Sequence, residues 1–529
     1  MYGQFGFATL WVVEVSFSSL SFLHCSIVLR IKTLNFIIVM DFKNLDLKKV
    51  IGFSLAILLP LLVCMLPAES FGVEGLTGVE QRIIAIFIFA TIMWVFEPIP
   101  IWGTSVLVMA LMLLTTSDSM LNFLKNDNVG QTLSYKSIMA SFADPTVMLF
   151  MGGFVLAIGA TKYGLDATLA RIILKPFGKK PKFVMLGFIV VTALLSMFMS
   201  NTATAAMMIA ILTPVLASMP EDDNKGRVGL ALAIPVAANI GGIGSPIGTP
   251  PNVVATGWLE KVGLEIGFGQ WMMMMVPVAA IILVLAWFFI SYMYPSKQET
   301  IDIKIGGDVD KSPKAIVVYV TFAVTIFLWV FGKSLFGVNA NVVALIPFAV
   351  FCLTGVFEKK DLAKIDWDVL WLVCGGFALG VGLEGKIAVD AATGEAITMS
   401  KHIVSAIPFK EWSPLMIILG SGALCLIMST FMSNSATAAL LIPVLIALGQ
   451  GMSAELEPFG GVVTLIAGLA LSASFAMALP ISTPPNAIAY SKGFIKQSQM
   501  VTVGVFVGVV AFIVGYAALF LFGDILIAN

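Results

Sequence analysis

Along the chain, apolar stretches long enough to approach the ~30 Å hydrocarbon core of a bilayer alternate with short polar connections. They begin near Val50, Arg82, Ile101, Pro145, Phe183, Val228, Gln270, Lys314, Asn339, Asp366, Trp412, Gly460 and Val501. A helix satisfies its own backbone donors in lipid, so this pattern predicts an all-α polytopic membrane protein. The stretches opening at Phe183 and Trp412 carry polar residues at their centres. Each is therefore either two spans or a re-entrant helical hairpin, and in both cases the chain leaves on the side it entered.

The polar interruptions repeat. Ser196-x3-Ser200-Asn201-Thr202-Ala203-Thr204-Ala205-Ala206 returns 233 positions later as Ser429-x3-Ser433-Asn434-Ser435-Ala436-Thr437-Ala438-Ala439. Thr249-Pro250-Pro251-Asn252 returns as Thr483-Pro484-Pro485-Asn486, and Gly152-Gly153-Phe154 as Gly375-Gly376-Phe377. Matches in one order at nearly one offset predict an internal duplication. The expected divisions are an N-terminal extension over 1–49, a first transmembrane helix over 50–81 and repeat one over 82–293. Repeat one contains a hairpin at 183–219 and a broken helix at 228–260. A cytoplasmic linker over 294–313 leads to repeat two, 314–529, with a hairpin at 412–450 and a broken helix at 460–495. Each repeat makes an odd number of crossings, so the second must enter the membrane in the opposite sense, the inverted-topology arrangement of secondary transporters.

Composition sharpens this picture. The 529 residues are 59% hydrophobic and 12% charged, with mean hydropathy +1.00, far from a soluble average. Thirty Lys and Arg against thirty-one Asp and Glu leave no basic field to hold nucleic acid. His24 and His402, with five cysteines in no ligand-like spacing, argue against zinc, haem and disulfide scaffolds. Lys48 and Lys49 before the first span, Arg171 to Lys182, and Lys359, Lys360 and Lys364 fall on one side when crossings are counted. The positive-inside rule makes that side the cytoplasm, so the core N-terminus is expected inside a plasma (inner) membrane. The first 39 residues suit neither a cleavable signal nor a clean span, and Met40 is read as the preferred start.

The repeated segments lack titratable groups. No Asp, Glu, His, Lys or Arg lies in 183–218, in 413–450 or in the two proline-broken cores, which removes a proton relay and a hydrolytic acid–base pair. Hydroxyls, amides and freed carbonyls remain, the hard oxygen ligands of a small cation. Ser196 and Ser200 are four apart and are expected on one helical face, with Asn201 adding its amide oxygen. Ser429, Ser433 and Asn434 repeat this. Carbonyls near Gly248 and Ser482 are expected to complete two sodium sites. Thr249 and Thr483, each before Pro-Pro, read as N-caps of half-helices starting in mid-membrane with their positive dipole ends exposed, which suits an anion. Interhelical hydrogen bonding and plain proline kinks are the blander alternatives. Glu97 reads as a helix-end cap, and Met272 to Met275 as packing.

These doubled Ser-Asn-Thr and Thr-Pro-Pro-Asn motifs resemble those of the divalent anion:sodium symporter family, the INDY-like dicarboxylate transporters, over roughly 50–529. The resemblance implies re-entrant hairpins whose tips, Asn201-Thr202 and Asn434-Ser435, contact substrate carboxylates as well as sodium, with Thr249, Thr483 and Pro484 adding contacts. It implies sodium as coupling ion with no organic cofactor, a C4-dicarboxylate such as succinate, malate or fumarate, a homodimer in lipid, and an elevator mechanism rather than an enzyme. Ser435 departs from the family's threonine. Citrate or sulfate transport, an anion channel or efflux subunit, and a membrane-embedded enzyme are the other readings.

Overall fold

The computed structural model describes residues 47–527 apart from 72, 74, 126–128, 221, 302–308, 390–395, 400 and 403–411. Almost all of the expected N-terminal extension, with Met40 and His24, lies outside the described residues, as does much of the 386–411 loop. The chain divides into two compact units, Met1–Ile51 and Gly52–Asn529. All the packing below lies within the second.

The longer helices, in chain order, are α1 (Leu47–Met65), α2 (Gly78–Phe96), α3 (Ile101–Thr116), α4 (Pro145–Lys162), α5 (Leu165–Leu174), α6 (Pro181–Ser196), α7 (Asn201–Ser218), α8 (Asn224–Gly242), α9 (Pro250–Lys261) and α10 (Phe268–Met293). After the linker come α11 (Pro313–Phe336), α12 (Leu345–Leu353), α13 (Trp367–Glu384), α14 (Pro414–Phe431), α15 (Asn434–Gly451), α16 (Gly461–Ser474), α17 (Pro484–Ser491) and α18 (Gln497–Phe522). Among the described residues, ten helices are long and apolar enough to cross a membrane. The first hairpin arm, α6, has 16 residues, about 24 Å at 1.5 Å per residue, and so falls short of the hydrocarbon thickness.

Local chemistry sets the ends. Thr77 and Glu80 form a reciprocal capping box on α2, satisfying two donors that the first turn leaves free. Glu97 ends the same helix in the left-handed region, φ 47°, its N–H bonded to Met93 O. Asp223 caps α8 by accepting from Gly226 N at 3.2 Å, and also takes the Ser296 hydroxyl and Lys297 N at 3.1 Å, which ties the start of the linker to the exit of α7. In the methionine run, Met274 and Met275 are buried and Met273 is exposed, which is packing on two sides.

Contacts between matching elements are reciprocal. α3 packs on α13 and α12 on α4, α9 packs on α15 and α17 on α7, and α9 lies against α16 as α17 lies against α8. The Gly-Gly-Phe motifs explain one pair of these contacts. A Cβ at Gly152 would collide with the Ala344 carbonyl, and one at Gly375 with Ser105. Only glycine lets the two backbones approach this closely.

Candidate functional site

The hairpins are where the first repeated motif sits. α6 ends at Ser196, and Ser200, extended at φ −63° and ψ 139°, opens α7 by accepting from Ala203 N at 3.2 Å. Ser433 opens α15 in the same way, accepting from Ala436 N at 3.2 Å. This corrects the expectation that Ser196 and Ser200, or Ser429 and Ser433, share one helical face. A short side chain beside a row of free N–H groups takes the N-cap instead, so each serine pair is split across a helix end.

Of the other expected ligands, Ser196, Asn201 and Gly248 lie together in one half and Ser429 and Asn434 in the other. Ser196 Oγ lies 2.8 Å from Ala238 O and also in hydrogen-bond contact with the Asn201 carboxamide. Ser429 Oγ lies 2.9 Å from Ala473 O and 2.8 Å from Asn434 Oδ1. A hydroxyl carries one hydrogen, so in each half it can satisfy only one of two acceptors. In the first half the same amide atom of Asn201 also lies 3.1 Å from Gly248 O and 3.1 Å from Ala238 O. With nitrogen inward Asn201 donates to these carbonyls. With oxygen inward, Asn201, Ser196, Ala238 and Gly248 form a ring of four oxygens with a single proton among them. The choice is a 180° amide turn, and a cation is what would favour the second. Gly242 borders this ring, where a Cβ would stand 2.6 Å from the Asn201 oxygen.

The second motif shapes the breaks. α8 ends at Gly242 and α9 starts at Pro250, and α16 ends at Ser474 and α17 starts at Pro484. The freed carbonyls are held by the asparagine that closes each motif. Asn252 Nδ2 reaches Ser245 O at 2.8 Å, with Gly242 O and Ile243 O at 3.3 Å. Asn486 Nδ2 donates to Met477 O at 2.7 Å and Leu479 O at 3.0 Å. A serine in each break then ties it to the adjoining hairpin: Ser245 to Met197 O, and Ser482 to Thr430 O at 2.7 Å. Thr483 caps α17 through Asn486 N at 3.4 Å. Thr249 stands at the N-cap of α9 but makes no side-chain cap bond, which corrects the expectation for that half.

The two halves differ in exposure. Residues 241–249 are all buried, whereas Ile481 and Pro484 are exposed. At the hairpin tips Thr202 is exposed and Ser435 half-buried. Four helix N-termini, those of α7, α15, α9 and α17, carry the polar motif residues, each contributing roughly half a positive charge.

Sequence reasoning missed Asn239, 2% exposed on α8. Its Nδ2 donates to Thr483 Oγ1 and to Asn486 Oδ1, both at 3.2 Å. A lone asparagine outside the repeated motifs gives no sequence signal. The roles of Asn252 and Asn486 did have one, since both close a repeated motif. A cavity of about 620 Å³ opens between the α9–α10 connection and the end of α11. It touches the first break only at Pro246, and Glu260 and Glu265 line it. Lys333 in the same lining pairs with Glu265 at 3.1 Å, which leaves the Glu260 carboxylate to repel a dianion, so the cavity is set aside as the anion's site.

Residues 47–528 match the family described as the sodium:sulfate symporter transmembrane region. The sodium-dependent dicarboxylate transporter SdcS of Staphylococcus saprophyticus is 28% identical over 506 residues, 89% of this chain and 91% of its own. The sodium-dependent high-affinity dicarboxylate transporter 3 of Caenorhabditis elegans is 30% identical over 422 residues, 69% of this chain and 72% of its own. Among solved structures, the YdaH transporter of Alcanivorax borkumensis superposes with TM-score 0.50 at 12% identity, over 84% of this chain and 98% of that one, a likeness of fold.

Proposed function

Because the chain belongs to the sodium:sulfate symporter family, that of the divalent anion:sodium symporters, we propose that it is a sodium-coupled importer of divalent anions, with C4-dicarboxylates such as succinate, malate or fumarate as substrate. The observation that carries this reading is the pair of oxygen-rich rings. Ser429, Asn434 and Ala473 in one half present more acceptors than hydrogens, and so do Ser196, Asn201, Ala238 and Gly248 in the other when the Asn201 oxygen faces inward. Sodium fits this donor set, as a hard cation served by neutral oxygens. Ser200, Ser433 and a carbonyl near Ser482 complete the proposed ligand sets, the two serines keeping a lone pair beyond their capping bonds.

The anion is assigned to the hairpin tips and half-helix starts: Asn201, Thr202 and Thr249 from one half, Asn434, Ser435, Thr483 and Pro484 from the other. No basic side chain is needed there, because two bound cations and four helix N-termini supply the positive potential. Two relatives named as sodium-dependent dicarboxylate transporters favour a dicarboxylate over sulfate. The odd number of crossings per repeat and the reciprocal contacts of α3 with α13 and α12 with α4 support inverted repeats. On that basis we assign an elevator movement of the two hairpins and breaks against the remaining helices, in a homodimer.

The test is uptake of labelled succinate and of labelled sulfate by proteoliposomes, with and without an inward sodium gradient. Sodium-driven accumulation of succinate is expected. Uptake that persists in choline, or follows a pH gradient without sodium, overturns the coupling, and faster accumulation of sulfate overturns the dicarboxylate.

A further inference from the structure

Asn239 stands where the two rings could communicate. The carbonyl of its chain neighbour, Ala238, belongs to the first ring through Ser196. Its own carboxamide spans to the other half, and both hydrogens of Nδ2 have an acceptor there, Thr483 Oγ1 and Asn486 Oδ1. Asn486 in turn holds the Met477 and Leu479 carbonyls of the second break. A shift of α8 at Ala238 is therefore carried in two hydrogen bonds to the N-cap of α17.

The reverse connection is missing. Matching Ala238 with Ala473 makes Ser474 the counterpart of Asn239, and its hydroxyl turns back to Ala470 O at 3.0 Å within its own helix. The oxygen that such a donor would serve, Asn252 Oδ1, is buried without a hydrogen-bond partner. A buried carbonyl oxygen left unmet is costly, so the halves are chemically unequal at this point.

We infer that Asn239 is a positioning residue that makes the geometry of the second break depend on occupancy of the first oxygen ring, so that sodium bound there favours binding in the other half. This rests on the sodium-coupled reading above. If α8 moves when the first ring closes on its ion, Asn239 moves Thr483 and Asn486 with it, and the coupling is reciprocal by linkage.

The experiment measures sodium-dependent succinate uptake in wild type, Asn239→Ala, Asn239→Ser, Thr483→Ala, the Asn239→Ala/Thr483→Ala double variant and Ser474→Ala. Asn239→Ala is expected to raise the sodium half-saturation roughly fivefold, the scale of losing one or two neutral hydrogen bonds, and to lower the Hill coefficient. The double variant should be no worse than Thr483→Ala alone, since both changes break one path, and Ser474→Ala should match wild type. A monodisperse Asn239→Ala or Asn239→Ser protein with wild-type sodium dependence overturns the inference, as do multiplying effects in the double variant. If neither variant assembles, Asn239 is a packing residue and the inference also falls. A wild type indifferent to sodium sinks the sodium-coupled reading instead.

Discussion

The ammonium of Lys162, at the end of α4, donates at 2.7 Å to the carboxylate of Asp361, which follows α12 nearly two hundred positions later. The Asp361 side chain is fully buried and also accepts from Lys364 at 2.9 Å and from Glu358 N at 3.0 Å. Removing either partner leaves the other charge only partly compensated, Asp361 by Lys364 and Lys162 by Glu358 at 3.7 Å, so Asp361→Asn and Lys162→Met should each destabilise the protein by roughly 2 kcal/mol. Thermal unfolding in detergent would show this as a lowered midpoint.

The same pair predicts how stability responds to acid. Burial pushes the Asp361 carboxyl up, but the hydrogen bonds from Lys162, Lys364 and Glu358 N–H outweigh it and hold the group well below the usual carboxylate range. A folded-state value below the unfolded one, near 3.9, gives stability that is present above the unfolded value and lost as pH falls through the folded one. The wild-type minus Asp361→Asn difference in midpoint should therefore be flat between pH 6 and 8 and shrink only in strong acid. A difference that changed across neutral pH would point to another group.

Asn201→Ala and Asn434→Ala each remove one carboxamide oxygen from a ring, and each should raise the sodium half-saturation about tenfold, the equivalent of 1.4 kcal/mol. Uptake at varied sodium and saturating succinate reads this directly. An unchanged sodium curve in correctly inserted Asn201→Ala would remove the first ring from the coupling site.

At Gly242 a methyl group would meet the Asn201 oxygen at 2.6 Å, a distance that real Cβ contacts do not show. Gly242→Ala should therefore displace Asn201 and mimic Asn201→Ala in sodium dependence. Combining the two substitutions should add little, since the second finds the ring already opened.

At the hairpin tips, Thr202→Ala and Ser435→Ala should raise the succinate half-saturation while leaving the protein assembled. Ser435→Thr, which only adds a methyl group, should keep uptake. Competition by unlabelled succinate and sulfate in each variant distinguishes a lost carboxylate contact from a general defect.

Sidedness is tested by single cysteines at Lys180 and Lys401 in a cysteine-free background. If the repeats are inverted, an impermeant maleimide applied to whole cells labels the second and spares the first. Equal labelling of both would be fatal to opposed orientations.

The helices were largely legible because bilayer-length apolar runs have few alternatives: the run read from Phe183 and the helix that starts at Pro181 differ by two residues. The motifs also mark helix starts: Ser200 and Ser433 open α7 and α15, and Thr249 and Thr483 precede α9 and α17. Side-chain direction was less accessible. Spacing of four between Ser196 and Ser200 implied a shared face, but that inference holds only if one helix runs through both, and α6 stops at Ser196. The Lys162–Asp361 pair and the Asn239 bridge were invisible for a different reason. Each joins residues about two hundred or more positions apart, and neither has a copy in the other half that self-comparison could find.

Asn239 and Ser474 make the two halves non-interchangeable. With an amide at one position and a hydroxyl folded back on its own helix at the other, two copies of the first half would supply the cross-link twice and two copies of the second half not at all. At this contact the halves are complementary parts rather than copies, and neither can replace the other.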